Sequence, residues 1–144
     1  MNYLVDSNIL VYAYANQSND KQLRARQVLS LLADNNNGYL STQSLSEFSN
    51  VMLRKVFLPA KTVYGLVEQF EQIYMVYPLT AAIILEAIRG VEEHKFSYYD
   101  AQIWAIAKLN QIPIILSEDF NSGSGIESVL FQNPFDPEFK LANI

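Results

Sequence analysis

Apolar residues recur along this chain with two periods. Ala25, Val28, Leu29 and Leu32 fall at i, i+3, i+4 and i+7, as do Val63, Leu66, Val67 and Phe70, and again Ile84, Ala87, Ile88 and Val91. That spacing lines one face of an α-helix, so three amphipathic helices are predicted. A fourth covers Leu45 to Leu53, with Leu45, Phe48 and Met52 on one face. A fifth, Tyr98 to Leu109, is apolar on nearly every side and is expected to lie centrally buried. The continuous runs Tyr3-Leu4-Val5 and Ile114-Ile115-Leu116 read instead as strands buried on both faces. Gly38-Tyr39-Leu40, Met75-Val76-Tyr77 and Val129-Leu130-Phe131 are candidates for three more. Strands alternating with helices at this spacing imply βαβ crossovers, hence an α/β fold with a mainly parallel five-stranded sheet and helices on both faces. Asn35-Asn36-Asn37-Gly38 reads as a turn, and the segment after Pro134 as irregular.

At 144 residues one hydrophobic core is the expectation, so residues 1–144 are read as a single domain. Half of the residues are apolar and 17% are charged, which excludes a disordered chain. There is no cysteine and only one histidine, His94, so neither a thiolate nor a multi-histidine metal site is available. A metal, if bound, binds through oxygen. His94, among Glu92, Glu93 and Lys95 near a helix end, reads as a surface residue favoured by the helix C-terminal dipole. No apolar stretch reaches membrane-spanning length and the start MNYLVDSNIL lacks a basic signal region, so a cytoplasmic protein is expected. The net charge of −5 argues against non-specific coating of nucleic acid, which needs clustered Lys and Arg.

The chemistry lies in the acids. In parallel sheets ligands bind beyond the carboxyl ends of the strands, and the two clearest strands run into Asp6-Ser7-Asn8 and Ser117-Glu118-Asp119. Asp6 and Asp119 should therefore share one rim. Glu47 lies on the mid-chain helix and Asp100 opens the buried one. Each acid also has a local explanation. Asp6 is suited to cap the following helix. Ser44-Leu45-Ser46-Glu47 and Ser97-Tyr98-Tyr99-Asp100 both have the capping-box form. Asp119 precedes the turn formers Asn121-Ser122-Gly123, and Glu118 reads as solvated. The set is more informative than its members. Two carboxylates about 4 Å apart repel by roughly 4 kcal/mol at an effective dielectric of 20, so several in one cleft take up protons or hold a cation. With oxygen ligands only, Mg²⁺ or Mn²⁺ suits the donors, which points to phosphodiester chemistry.

These motifs, in this order, resemble the PIN domain, and within it the VapC-like toxins of toxin-antitoxin pairs. Tyr3 to Leu10 is similar to that family's opening strand and D-[ST]-N motif, and Ser44 to Phe48 to its helix with a single glutamate. Ser97 to Ala101 is similar to its Y-D-A helix start, and Leu116 to Phe120 to its S-E-D motif. The resemblance implies an α/β/α sandwich, endoribonuclease activity dependent on Mg²⁺ or Mn²⁺, a homodimer and a cognate antitoxin, whose basic tail would suit an acidic cleft. By motif match, Asp6, Glu47, Asp100 and Asp119 are the metal-binding and catalytic acids, with Asn8 and Ser117 orienting acids or substrate. Bound divalent ions would make the cleft attract phosphate despite the net charge. Arg54, seven residues beyond Glu47 on nearly the same helical face, is placed to meet an RNA backbone, although a solvated helix-end Arg is the simpler reading. Tyr98 and Tyr99 are suited to stack on bases, with packing expected for at least one. The alternative function is a PIN-like RNA- or protein-binding module that has lost catalysis. Aspartyl-phosphate chemistry also uses acids after strands, but here the first motif is Asp6-Ser7-Asn8 rather than D-x-D.

Overall fold

A computed structural model describes residues 1–15 and 19–144. The elements run β1 (Tyr3–Val5), α1 (Ser7–Tyr14), α2 (Asp20–Asn35), β2 (Gly38–Ser41), α3 (Thr42–Arg54), α4 (Ala60–Ile73), β3 (Met75–Tyr77), α5 (Ala81–His94), α6 (Tyr98–Leu109), β4 (Ile114–Leu116), β5 (Gly125–Ile126) and β6 (Val129–Gln132). They form one sheet in the order β3-β2-β1-β4-β6-β5. All neighbours pair in parallel except β5 and β6. The sheet thus has six strands, not five. The extra strand is two residues of a tight antiparallel hairpin, too short to leave a periodic signal.

Because side chains alternate across a strand, a fully buried strand feeds two cores. Tyr3 and Val5 join one apolar cluster while Leu4 joins the other, and Ile114 and Leu116 lie opposite Ile115 in the same way. Helices α1 to α4 cover the first face, where Phe48 and Phe70 meet edge to face at 5.2 Å. The second face is covered by α6, whose residues 101–107 are all buried, with α5 packed against it. The central burial expected of the fifth helix is therefore met. Trp104 is fully buried and donates its indole N–H to the Ile126 carbonyl at 3.2 Å, which ties α6 to the β5–β6 hairpin.

Two helices differ from the sequence pattern, α5 in its buried face and α3 in its start. The α5 stripe is rotated: Ile83, Ala87 and Gly90 are buried, whereas Ile88 is exposed. Gly90 sits there because Trp104 leaves no room for a side chain. Helix α3 begins three residues earlier than the Ser44 capping box implies. Its N-cap is Ser41, which accepts the Ser44 amide at 3.0 Å. Asn36 closes α2 in the left-handed conformation, as the Asn35 to Gly38 turn anticipated. Among the described residues no helix is long and apolar enough to cross a membrane.

Candidate active site

Asp6 ends β1 and caps α1, so one side chain serves strand, helix and cleft. Its Oδ1 accepts the Ser7 amide at 2.7 Å and its Oδ2 accepts the Ser117 hydroxyl at 2.7 Å. Ser117, the first residue beyond β4, is buried, and its Oγ also receives Asn8 Nδ2 at 3.2 Å and the Asp119 amide at 3.1 Å. Asn8 Nδ2 donates to Asp119 Oδ2 as well, at 3.2 Å. Thus β1 and β4, adjacent and parallel, bring Asp6 and Asp119 to one rim through two shared polar residues.

Glu47 arrives from α3. Its Oε2 accepts the Ser7 hydroxyl at 2.8 Å, and its Oε1 accepts Gln43 Nε2 at 2.9 Å. Since α3 starts after Ser41, Glu47 lies well inside the helix and caps nothing, which removes its local explanation. Gln43 Nε2 also reaches the Tyr99 carbonyl at 3.3 Å, tying α3 to the first turn of α6. Asp100 lies in that turn, where the Ser97 hydroxyl accepts its amide, the half of the capping box that the sequence led one to expect.

The electrostatics link all four acids. Asp6 is pushed up to about 7, first by burial, with further upward pressure from the charges of Asp119 and Glu47, while the Ser117 and Ser7 hydrogen bonds pull it down. Asp119 is raised by burial and by the neighbouring charge of Asp100, against the Asn8 hydrogen bond. None of the four has a basic side chain within ion-pair distance among the described residues. The ion pairs of those residues lie elsewhere: Lys21 with Glu118, and Arg89, Lys108 and His94 with Glu86, Glu93 and Glu127.

Glu118 turns away from Asp119. It accepts the Tyr12 hydroxyl at 2.6 Å and Lys21 Nζ at 2.8 Å, so its charge is already matched. Sequence reasoning read it as solvated and did not find this clamp, because Tyr12 and Lys21 belong to distant helices. It did not find Gln43 either, although a Gln four residues before a Glu on one helix is a recognisable pair. Arg54 is exposed at the end of α3. Tyr98 and Tyr99 are both exposed, so neither is buried as packing would require. His94 is not simply a surface residue. Its Nε2 lies 2.7 Å from Glu127 and its ring 5.6 Å from that of Trp104.

No three of the cleft carboxylates bring oxygens within 4.8 Å of one another; among the described residues the trio that does is Glu93, His94 and Glu127. That trio is already neutralised by Arg89 and Lys108. The cleft is more open, which suits a hydrated Mg²⁺ that keeps several waters better than a fully dehydrated ion. Asn8 Oδ1 supports the same fit: it is buried beside Ser117 and Asp119 without a hydrogen-bond partner, an acceptor where an ion's hydration shell would donate.

This fold belongs to a known class. The sequence profile of the PIN domain matches residues 3–121, and the chain belongs to the PIN-domain family. No curated protein sequence matches it at a significant level. Among solved structures it is similar to a toxin-antitoxin complex from Klebsiella pneumoniae, at 17% identity over 93% of this chain and 98% of that one, with a TM-score of 0.69. It is also similar to VapBC2 from Rickettsia felis bound to a DNA fragment from their promoter, at 20% identity over 92% and 98% of the two chains, TM-score 0.67. A third is VapC20 of Mycobacterium tuberculosis, a sarcin-ricin loop cleaving toxin, at 14% identity over 79% and 87%, TM-score 0.65. At these identities the likeness is one of fold.

Proposed function

We propose that this protein is a divalent-metal-dependent endoribonuclease and the toxin of a toxin-antitoxin pair. The observation that carries the reading is the uncompensated charge of the cleft. Four carboxylates from four separate elements face one another with no basic partner among the described residues, while ion pairs form elsewhere on the surface. An arrangement that raises the energy of the apo protein is retained where a cation or substrate needs it. In this reading Asp6, Glu47, Asp100 and Asp119 hold Mg²⁺ or Mn²⁺, and Asn8 and Ser117 orient Asp6 and Asp119. Bound there, a divalent cation supplies Lewis-acid polarisation of the phosphodiester and neutralises charge developing on its oxygens. The chain's own groups do the rest. Ser7 and Ser117 hold the Asp6 carboxylate in one orientation, Gln43 and Ser7 do the same for Glu47, and the more exposed Asp119 is free to accept a proton from water. Arg54, beyond Glu47 on α3, is assigned to the RNA backbone.

The same reading makes residues 1–144 a single PIN domain that acts in the cytoplasm as a homodimer and is held inactive by a cognate antitoxin. The toxin-antitoxin complexes among its structural relatives support the antitoxin. The test is cleavage of RNA with Mg²⁺ or Mn²⁺ by wild type, Asp6→Asn and Asp100→Asn, each freed of antitoxin under denaturing conditions and refolded. Wild type should cut and both variants lose at least about a hundredfold in rate, a loss of about 2.7 kcal/mol of transition-state stabilisation. Equal activity in the three would sink the assignment. Wild-type protein that binds RNA without cutting it would establish the inactive binding module instead.

A further inference from the structure

A cavity of about 740 Å³ opens beside Glu47, between α3 and the start of α6, and is lined by Gln43, Asn50, Leu79, Tyr99 and Gln102. It lies within the size range of small-ligand sites, roughly 300 to 1,000 Å³. Its wall is unusual for its carboxamides. Gln102 is only 4% exposed and stands alone as a polar residue in the buried run 101–107, yet its side chain makes no hydrogen bond with any described residue. What little of Gln102 is exposed includes its amide, which opens into the cavity, whereas any of several apolar residues would fill this position in a helix packed for stability alone. Gln43 is committed through Nε2 to Glu47 and the Tyr99 carbonyl, while its Oε1 is buried with no partner. Tyr99, 68% exposed, stands at the rim with its ring unburied.

The chemistry of the wall selects the ligand. Among the cavity's lining residues there is no Lys, Arg or His, so a phosphate group is not held here. A carboxamide offers a donor and an acceptor side by side, which matches the paired donor and acceptor on a nucleobase edge. An exposed aromatic ring adds a stacking face, which every base shares. We infer that this cavity receives one unpaired nucleobase of the RNA next to the scissile phosphate, stacked on Tyr99 and read along its edge by Gln102. The inference rests on the endoribonuclease reading, and it narrows the substrate to RNA with an unstacked base at the cut, in a single strand or a loop.

The test begins with binding in the absence of metal. Side-chain amide and aromatic resonances of the wild-type protein in EDTA are followed while each of the four nucleoside 5′-monophosphates is added. The Gln102 amide and the Tyr99 ring should shift saturably, most for one base. Tyr99→Ala should weaken binding about tenfold, the usual scale for loss of one stacking partner. Gln102→Met should level the differences among the four nucleotides. Ribose 5-phosphate that shifts the same resonances equally, or nucleotides that shift neither, would overturn the assignment. Tyr99 is exposed, so its variant stays informative even if Gln102→Met fails to fold. Cleavage separates the two readings. Metal-dependent cutting in which Tyr99→Ala leaves KM for RNA unchanged and Gln102→Met leaves the base preference unchanged would remove the cavity assignment and leave the nuclease standing. Base-selective shifts at Gln102 in a protein that cuts no RNA would do the reverse.

Discussion

The charge imbalance at Asp6 predicts that the cation-free protein is less stable at neutral pH than at acid pH, and that Asp6→Asn repairs this. Burial and neighbouring charge hold the folded carboxyl at about 7, against 3.8 for the free group. Between those values the folded protein keeps a proton that the unfolded chain has released. The folded state therefore binds more protons, and the stability contributed by this group falls as pH rises from about 4 to about 7. The full gap corresponds to about 4 kcal/mol, of which about 2.5 kcal/mol is lost between about pH 5 and pH 8. The carboxamide introduced by Asp6→Asn would still accept the Ser7 amide through its oxygen. Its nitrogen would meet a Ser117 oxygen that already receives Asn8 and the Asp119 amide, a mismatch of about 1 kcal/mol. Asp6→Asn should therefore stabilise the protein by about 3 kcal/mol at pH 8 and by less than about 1 kcal/mol at pH 5. Urea denaturation of both proteins in EDTA at the two pH values measures this directly. Added Mg²⁺ or Mn²⁺ should then stabilise wild type at pH 8 and leave the variant nearly unchanged. A difference between the two proteins that does not vary with pH would refute the reasoning, because the ionisation of Asp6 would then carry no free energy.

Gly90→Ala should destabilise by about 1 to 2 kcal/mol in thermal or urea unfolding, although alanine is the better helix former. A Cβ there would lie 2.8 Å from Trp104 Cζ3, and the indole is held by the Ile126 carbonyl; a raised melting temperature would show that Trp104 yields. Ser41→Ala removes the N-cap of α3 and the hydroxyl partner of Ser44, a loss of about 1 to 2 kcal/mol that Ser41→Thr, which keeps the hydroxyl at this buried position, should partly restore. Unchanged urea midpoints would place the start of α3 elsewhere. Lys21→Met should change stability by less than about 1 kcal/mol, since the Lys21–Glu118 pair is open to solvent. A larger loss would mean that the clamp holds up the fold and does more than orient the Asp119 loop.

Much of the architecture was legible because it is written in local period. Tyr3-Leu4-Val5 and Ile114-Ile115-Leu116 are apolar at every position because each strand lies between two cores, and 101–107 are buried because α6 lies between sheet and α5. The β5–β6 hairpin was not legible, since two residues carry no period. The α5 stripe was misplaced by one residue for a related reason: Ile83, Ile84, Leu85 and Ile88 are all apolar, and only the position of Trp104 decides which of them turns inward.

The site divides along the same line. The chain by itself determined that acids follow two strands and open one helix, because strand ends and helix starts are local events marked by Asp6, Asp119 and Asp100. Tertiary structure alone decided how those acids are used. Asp6 meets Ser117 and Glu47 meets Ser7 across separations of 111 and 40 residues. Glu118, identical in charge to its neighbour and adjacent in sequence, is taken by Tyr12 and Lys21, while Asp119 faces Asn8 and Asp100. Glu47 looked like a helix cap until the fold moved the start of α3 back to Ser41. Periodicity records which face of an element is apolar. Which charges meet depends on how the elements cross, and that is set by packing between parts of the chain that share no local pattern.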